Sequence, residues 1–202
     1  LRASSRALIE LPGWIEEDNR RLGLDLPDST LQTLELMTIH ARRFDQMTAD
    51  LLSYSRIGRR QTKKHVDWGG TLDRVLAQNP LPDGFELRRD LQAPRAYLGQ
   101  VDAELLLGHL IGNAVKHHDR GEGKITVSTR ASANDCTLVV SDDGPGIPVH
   151  LRAKALQLLT TLKSRDDVEG SGMGLAIAAR IAAIYGGALD WPTTPGPRGL
   201  AV

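Results

Sequence analysis

A change of hydrophobic period shortly before Val66 constrains this chain more than any other feature. Ahead of it, apolar residues recur at 3-4 spacing. Leu1, Leu8, Leu11, Ile15 and Leu22 mark one stripe, with Ser4 and Asp18 filling its other two positions. Leu34, Met37, Ala41, Phe44, Met47 or Thr48, Leu51 and Tyr54 mark a second. This spacing predicts two amphipathic helices. Between them "GLDLPDST" predicts a polar loop, with Asp28 or Ser29 capping the helix that follows. A two-helix hairpin cannot bury seams this long against itself. Two hairpins pairing into an antiparallel four-helix bundle, a homodimer, is the simplest solution. Pro12-Gly13 removes one backbone hydrogen bond from the first helix and predicts a kink. The first stripe starts with no capping residue ahead of it, so that helix is expected to continue upstream.

The second helix ends in "RIGRRQTKKH". Cations on a last helical turn complement the dipole, and the stretch reads as that turn running into a solvated linker. From Val66 the pattern mixes periods. "WGGTLDRVLAQN" predicts a short helix, "GFELRRDL" a strand and "DAELLLGHLIGNAVKHH" a strong amphipathic helix. "KITVSTRA" and "DCTLVVSDD" predict a hairpin turning at 132–134. "LRAKALQLL" and "GLAIAARIAAIYGG" predict helices, the latter closed by Gly186-Gly187, and "ALDW" and "GLAV" predict terminal strands. Strands and helices without strict alternation imply an α+β domain, a mixed sheet with helices on one face. The expected domains are therefore a helical hairpin over residues 1–65 and an α+β sandwich over residues 66–202.

Lysines plus arginines and aspartates plus glutamates each number 25, so no global positive field recruits nucleic acid or an anionic membrane. The single cysteine, Cys136, excludes an intramolecular disulfide and fits a reducing compartment. Its valine-rich flanks predict a buried structural thiol. No apolar run reaches the roughly 18 residues that a membrane span needs, and no signal peptide is evident. These residues are expected to be cytoplasmic, whether or not an upstream region attaches the intact protein to a membrane.

Three segments carry chemistry. Gly170, Gly172 and Gly174 alternate immediately ahead of a helix, where backbone N–H groups and the helix dipole favour phosphate. The dinucleotide and Walker A spacings are both absent. Asp142 ends a strand ahead of the turn Gly144-Pro145-Gly146. There a carboxylate can accept from an exocyclic amine while the glycines leave room for a flat ring, although a plain Asp-Gly turn has the same local sequence. His109, Asn113 and Lys116 share one helix face. An amide oxygen suits Mg²⁺ and a lysine suits phosphate, while a merely polar helix face is the alternative.

The order of these segments is specific: N-A-x-K on a helix, then D-x-G-x-G-I after a strand, then G-x-G-x-G-L before a helix. Over roughly residues 66–202 it resembles the ATP-binding domain of sensor histidine kinases and their GHKL relatives. The resemblance implies a GHKL-type sandwich that binds ATP with Mg²⁺. It implies that Asn113 coordinates the metal and that Lys116 and His117 contact phosphates. It implies that Asp142 reads the adenine amino group in a pocket shaped by Gly144, Gly146 and Ile147. Gly170, Gly172 and Gly174 would hold the triphosphate, and Lys163 or Arg165, in the lid "TTLKSRDDVE", would reach the γ-phosphate. His109 stands where relatives carry Glu or Asn and is the candidate catalytic base. Leu156 and Leu159 replace the usual aromatics.

The hairpin resembles the dimerisation and histidine-phosphotransfer domain of the same kinases. "LRASSRAL" is similar to the stretch just after the phosphoacceptor, with Ser4 where a proline is usual. The acceptor histidine is then expected two residues before Leu1, and an upstream sensor domain before that. A response-regulator receiver domain is the implied partner. A pseudo-kinase scaffold or an anti-sigma-type serine kinase would share the ATP site.

Overall fold

The computed structural model describes residues 2–59, 61–133, 135–162, 171–193 and 198–202. Helices α1 (Arg2–Arg21) and α2 (Asp28–Arg56) form a hairpin. Helix α1 is continuous through Pro12-Gly13, and Pro12 is buried. It ends in a Schellman turn. Gly23, at φ +67°, donates to the Arg20 carbonyl at 3.2 Å, and Leu24 donates to the Asn19 carbonyl at 3.0 Å.

Neither Asp28 nor Ser29 caps α2. The capping position is Pro27, whose carbonyl accepts from Thr30 N at 2.8 Å and Leu31 N at 3.1 Å. The helix has already begun at Asp28, so that carboxylate lies in the first turn, where it complements the dipole instead. Leu34 and Ala41 are buried, whereas Leu8, Leu11, Ile15, Met37, Phe44 and Leu51 remain exposed, Phe44 by 50%. The hairpin thus leaves an apolar face uncovered.

The stretch after α2 is no solvated linker. Strand β1 (Lys63–Asp67) pairs antiparallel with β3 (Arg95–Gly99), from Lys63↔Gly99 to Asp67↔Arg95. Only Val66 of β1 is buried, so its charged run carries no apolar alternation to betray a strand. Asp67 caps α3 (Trp68–Gln78), its side chain accepting from Gly70 N at 2.6 Å.

The main sheet has the order β2-β4-β5-β6. Strand β2 (Phe85–Leu91) runs parallel to β4 (Gly123–Ala131), the crossover between them holding β3 and α4 (Gln100–Lys116). Strands β4 and β5 (Cys136–Asp142) form the antiparallel hairpin, and β6 (Leu200–Ala201) pairs with β5 at the Ser141 and Asp142 positions. Ile125, Val127 and Val140 pack against Leu72 of α3, Leu107 and Ile111 of α4, and Ala178 of α6 (Gly174–Ile184). The domain is therefore α+β, with a mixed sheet and helices on one face.

Three local expectations are corrected. Helix α5 spans only Val149–Ala155 with Leu156 as its C-cap, and Leu159 beyond it takes a left-handed φ of 60°. "ALDW" forms no strand: β6 occupies the free edge of β5 beside Asp142, and Trp191 stacks under the Arg152 guanidinium at 5.4 Å. Cys136 is exposed, because it begins β5 opposite Ala131 at the turn end of the hairpin, beyond the covered part of the sheet. Gly186, at φ +84°, closes α6 as expected, with Gly187 N donating to the Ala182 carbonyl at 2.8 Å.

The hairpin and the α+β domain meet at the end of α2. Ile57 is buried among Met173, Ile177 and Ile181, and Arg180 lies 5.8 Å over the Tyr54 ring.

A candidate nucleotide site between two helices and a strand end

A cavity of about 450 Å³ opens between α4, the end of β5 and the start of α6. That is within the size range of small-molecule sites. Among the residues flagged by sequence, His109, Asn113, Lys116 and His117 line it from α4. Asp142, Gly146 and Ile147 line it from β5 and the following turn, and Gly172 and Gly174 from the approach to α6. Gly144 does not line it; its N–H donates to Asp142 Oδ1 at 2.9 Å and fixes that carboxylate. Lys163, Arg165 and Gly170, with most of the expected lid, lie outside the described residues, as does the side chain of Ser4.

Asp142 Oδ1 also accepts from Leu200 N at 3.3 Å. Burial pushes its carboxyl above the ordinary carboxylate value, and these backbone donors partly offset the push. One oxygen is thus committed to the frame, and Oδ2 is the acceptor left to meet a ligand.

Two glycines are required by their surroundings. Gly172 sits at φ +68°, and a Cβ there would lie 2.6 Å from the Thr160 carbonyl oxygen. Gly174 opens α6, and a Cβ there would lie 3.1 Å from both amide atoms of Asn113. The first-turn N–H groups of α6 therefore sit directly beside the Asn113 amide, a charge pattern suited to phosphate with its cation.

His109 is held below the ordinary imidazole range by burial, against the pull of the Asp50 carboxylate. Its Nε2 is buried and meets no hydrogen-bond partner among the described residues. A neutral ring in this position can take a proton or orient a water. Asn113 offers a single hard oxygen, and the described residues hold no cluster of three His, Cys, Asp or Glu side chains. That fits Mg²⁺, which takes few protein ligands and completes its shell with phosphate and water.

Two sets of residues escaped the sequence. His118 is the buried member of the His117-His118 pair, its side chain 1% exposed. Its Nδ1 accepts from Arg120 N at 3.2 Å, which leaves Nε2 as the nitrogen that donates to Asp143 Oδ1 at 3.1 Å. Lys124 N donates to the same oxygen at 2.7 Å and, with His118, holds the Asp143 carboxyl below its ordinary value. This ties the end of α4 to the turn after Asp142. Gln46 and Asp50 of α2 also line the cavity. On α2 Asp50 reads as one of the charges between apolar positions and Gln46 as an ordinary polar residue, and only their i, i+4 spacing hinted at a joint role.

Residues 99–201, just over half of the chain, match the family model described as histidine kinase-, DNA gyrase B- and HSP90-like ATPase. The chain belongs to this ATPase family. Among curated relatives it is similar to the signal transduction histidine-protein kinase AfsQ2 of Streptomyces coelicolor, 28% identical over 166 residues. That match covers 80% of this chain and 30% of AfsQ2, so the chain spans under a third of the relative's length. Among solved structures, full-length ShkA in complex with AMPPNP superposes with a TM-score of 0.69 at 21% identity, covering 99% of this chain and 42% of ShkA. The kinase ThkA in complex with the response regulator TrrA gives 0.65 at 18% identity, covering 98% and 57%. These likenesses extend over the hairpin as well as the ATPase domain. No described helix is long and apolar enough to cross a membrane.

Proposed function

We propose that this chain is the catalytic core of a two-component sensor histidine kinase. In this reading residues 1–65 are the dimerisation and phosphotransfer hairpin, and residues 66–202 bind Mg·ATP. The observation that carries it is the convergence of Asn113, Asp142 and the Gly172–Gly174 turn on one cavity, walled on a further side by the hairpin.

The roles follow from the chemistry. Asp142 Oδ2 accepts from the adenine amino group while Gly146 and Ile147 flank the ring. The N–H groups at the start of α6, with Lys116 and His117, hold the phosphates. Mg²⁺, when held by Asn113, neutralises charge on the phosphate oxygens. His109 orients or accepts a proton beside them. Catalysis is then mostly positioning and electrostatic.

Ser5 Oγ donates to Asp45 Oδ1 at 2.5 Å, which sets the start of α1 alongside the stretch of α2 that lines the cavity. A histidine just upstream of Leu1 would lie at that level and is the proposed phosphoacceptor. The uncovered apolar face of the hairpin supports homodimerisation. The likeness to ThkA bound to its response regulator supports a receiver domain as the next acceptor. A hairpin packed onto the ATPase domain speaks against a bare anti-sigma-type kinase.

The full-length protein incubated with radiolabelled ATP is the test. An acid-labile, base-stable label on the protein is expected. Nucleotide binding without such a label would leave a pseudo-kinase scaffold.

A further inference from the structure

Asp50 is an unusual residue for the wall of a triphosphate site. It is a carboxylate side chain only 6% exposed, and it comes from the hairpin rather than from the ATPase domain. Its Oδ2 accepts from the Ser171 hydroxyl and its Oδ1 accepts from Gln46 Nε2 at 2.8 Å. Ser171 Oγ in turn accepts from Met173 N at 3.2 Å, one residue ahead of α6. The titratable group facing Asp50 from α4 is His109, whose pKa burial lowers against the pull of that carboxylate. Neutral donors thus hold a buried carboxylate, with no cation paired to it among the described residues. Such an arrangement is tolerable only while every donor stays in place.

The donor from the ATPase domain is Ser171, next to Gly172 in the turn that leads to the N-terminus of α6. A phosphate held by that turn brings further negative charge close to Asp50 in a poorly solvated site. The repulsion is relieved if α2 and the turn separate.

We propose that Asp50 and Ser171 form an interdomain latch, which holds the ATPase domain on the hairpin while the phosphate site is empty and is released when nucleotide phosphates enter. The latch rests on the nucleotide site proposed above. Its energetics are reciprocal. If nucleotide disfavours the docked arrangement, docking disfavours nucleotide by the same factor.

The test uses the full chain with Mg·ADP, read by calorimetry and by small-angle scattering. Asp50→Asn removes the charge and should tighten Mg·ADP by about fivefold or more, the lower end of ordinary coupling factors. Ser171→Ala removes the donor from the other side. It should enlarge the radius of gyration without nucleotide, to the value that saturating Mg·ADP produces in the wild type. In the double variant the scattering change should not exceed that of the larger single change, because both substitutions break one contact. Wild-type affinity in Asp50→Asn, together with unchanged scattering in Ser171→Ala, would overturn the latch and leave the nucleotide site standing. A wild-type chain that binds no Mg·ADP would instead overturn the nucleotide site, and the latch with it.

Discussion

The Tyr185 hydroxyl donates to Asp102 Oδ2 at 2.7 Å, joining the end of α6 to the first turn of α4. The same oxygen of Asp102 accepts from Gly58 N at 3.0 Å, and the tyrosine oxygen accepts from Gly99 N at 3.1 Å. Three chain segments therefore meet on one buried carboxylate. Tyr185→Phe removes a donor to that charge and should lower stability by about 1–3 kcal/mol in thermal or denaturant unfolding. Burial and the Asp102 bond push the Tyr185 hydroxyl up to about 12. Its contribution is complete below the unfolded value of about 10 and is lost as pH rises from there through about 12. The wild type should converge on Tyr185→Phe across that window; a constant gap would count against the assignment.

Asp142→Asn exchanges the proposed adenine acceptor for a donor. Affinity for Mg·ADP should fall by roughly 10–100-fold, the worth of a charged hydrogen bond. Because burial raises the Asp142 pKa, the wild type should begin to lose affinity at a higher pH than an ordinary aspartate would dictate, as the solution is acidified. The Asn variant should lack that acidic limb. Equal affinities by calorimetry at neutral pH would remove Asp142 from the pocket.

Asn113→Ala should reduce the gain in nucleotide affinity that Mg²⁺ confers by about tenfold, with a smaller effect on metal-free binding. Gly174→Ala should act in the same sense, since its Cβ would crowd both amide atoms of Asn113 from 3.1 Å. Titrations with and without Mg²⁺ separate the two effects, and a uniform loss in both would argue against a metal ligand.

Phe44→Glu places a charge on the uncovered face of the hairpin. If that face is the dimer seam, self-association should weaken by at least about tenfold, since burying a large apolar side chain is worth roughly 1.5–3 kcal/mol. Sedimentation would report a shift towards monomer. An unchanged dimer would place the seam elsewhere.

What was legible in the sequence was local. The polar face of α4, the strand-end Asp142 and the glycines before α6 each declare themselves within about ten residues, and their order identified the family. The pairing of β1 with β3 was not legible, because Lys63, Lys64 and His65 face solvent and leave Val66 alone to point inward. Cys136 was misjudged because strand flanks do not say how far the helices extend over a sheet. The Asp50–Ser171 contact spans 121 residues of sequence, and no periodicity encodes a meeting between a hairpin and a glycine turn so far apart. His118 shows the same limit at close range. Adjacent histidines look alike until the fold turns one of them under the Phe85 ring, 5.4 Å away edge to face.

The Gln61 side chain accepts from Val101 N at 2.9 Å, while Gly58 is held three residues earlier by Asp102. The strap between the two halves is therefore pinned at both points to the base of α4, the helix that carries Asn113. It has no slack. Whatever the rest of the hairpin does, its last residues and the base of α4 are held to one another through Gly58 and Gln61.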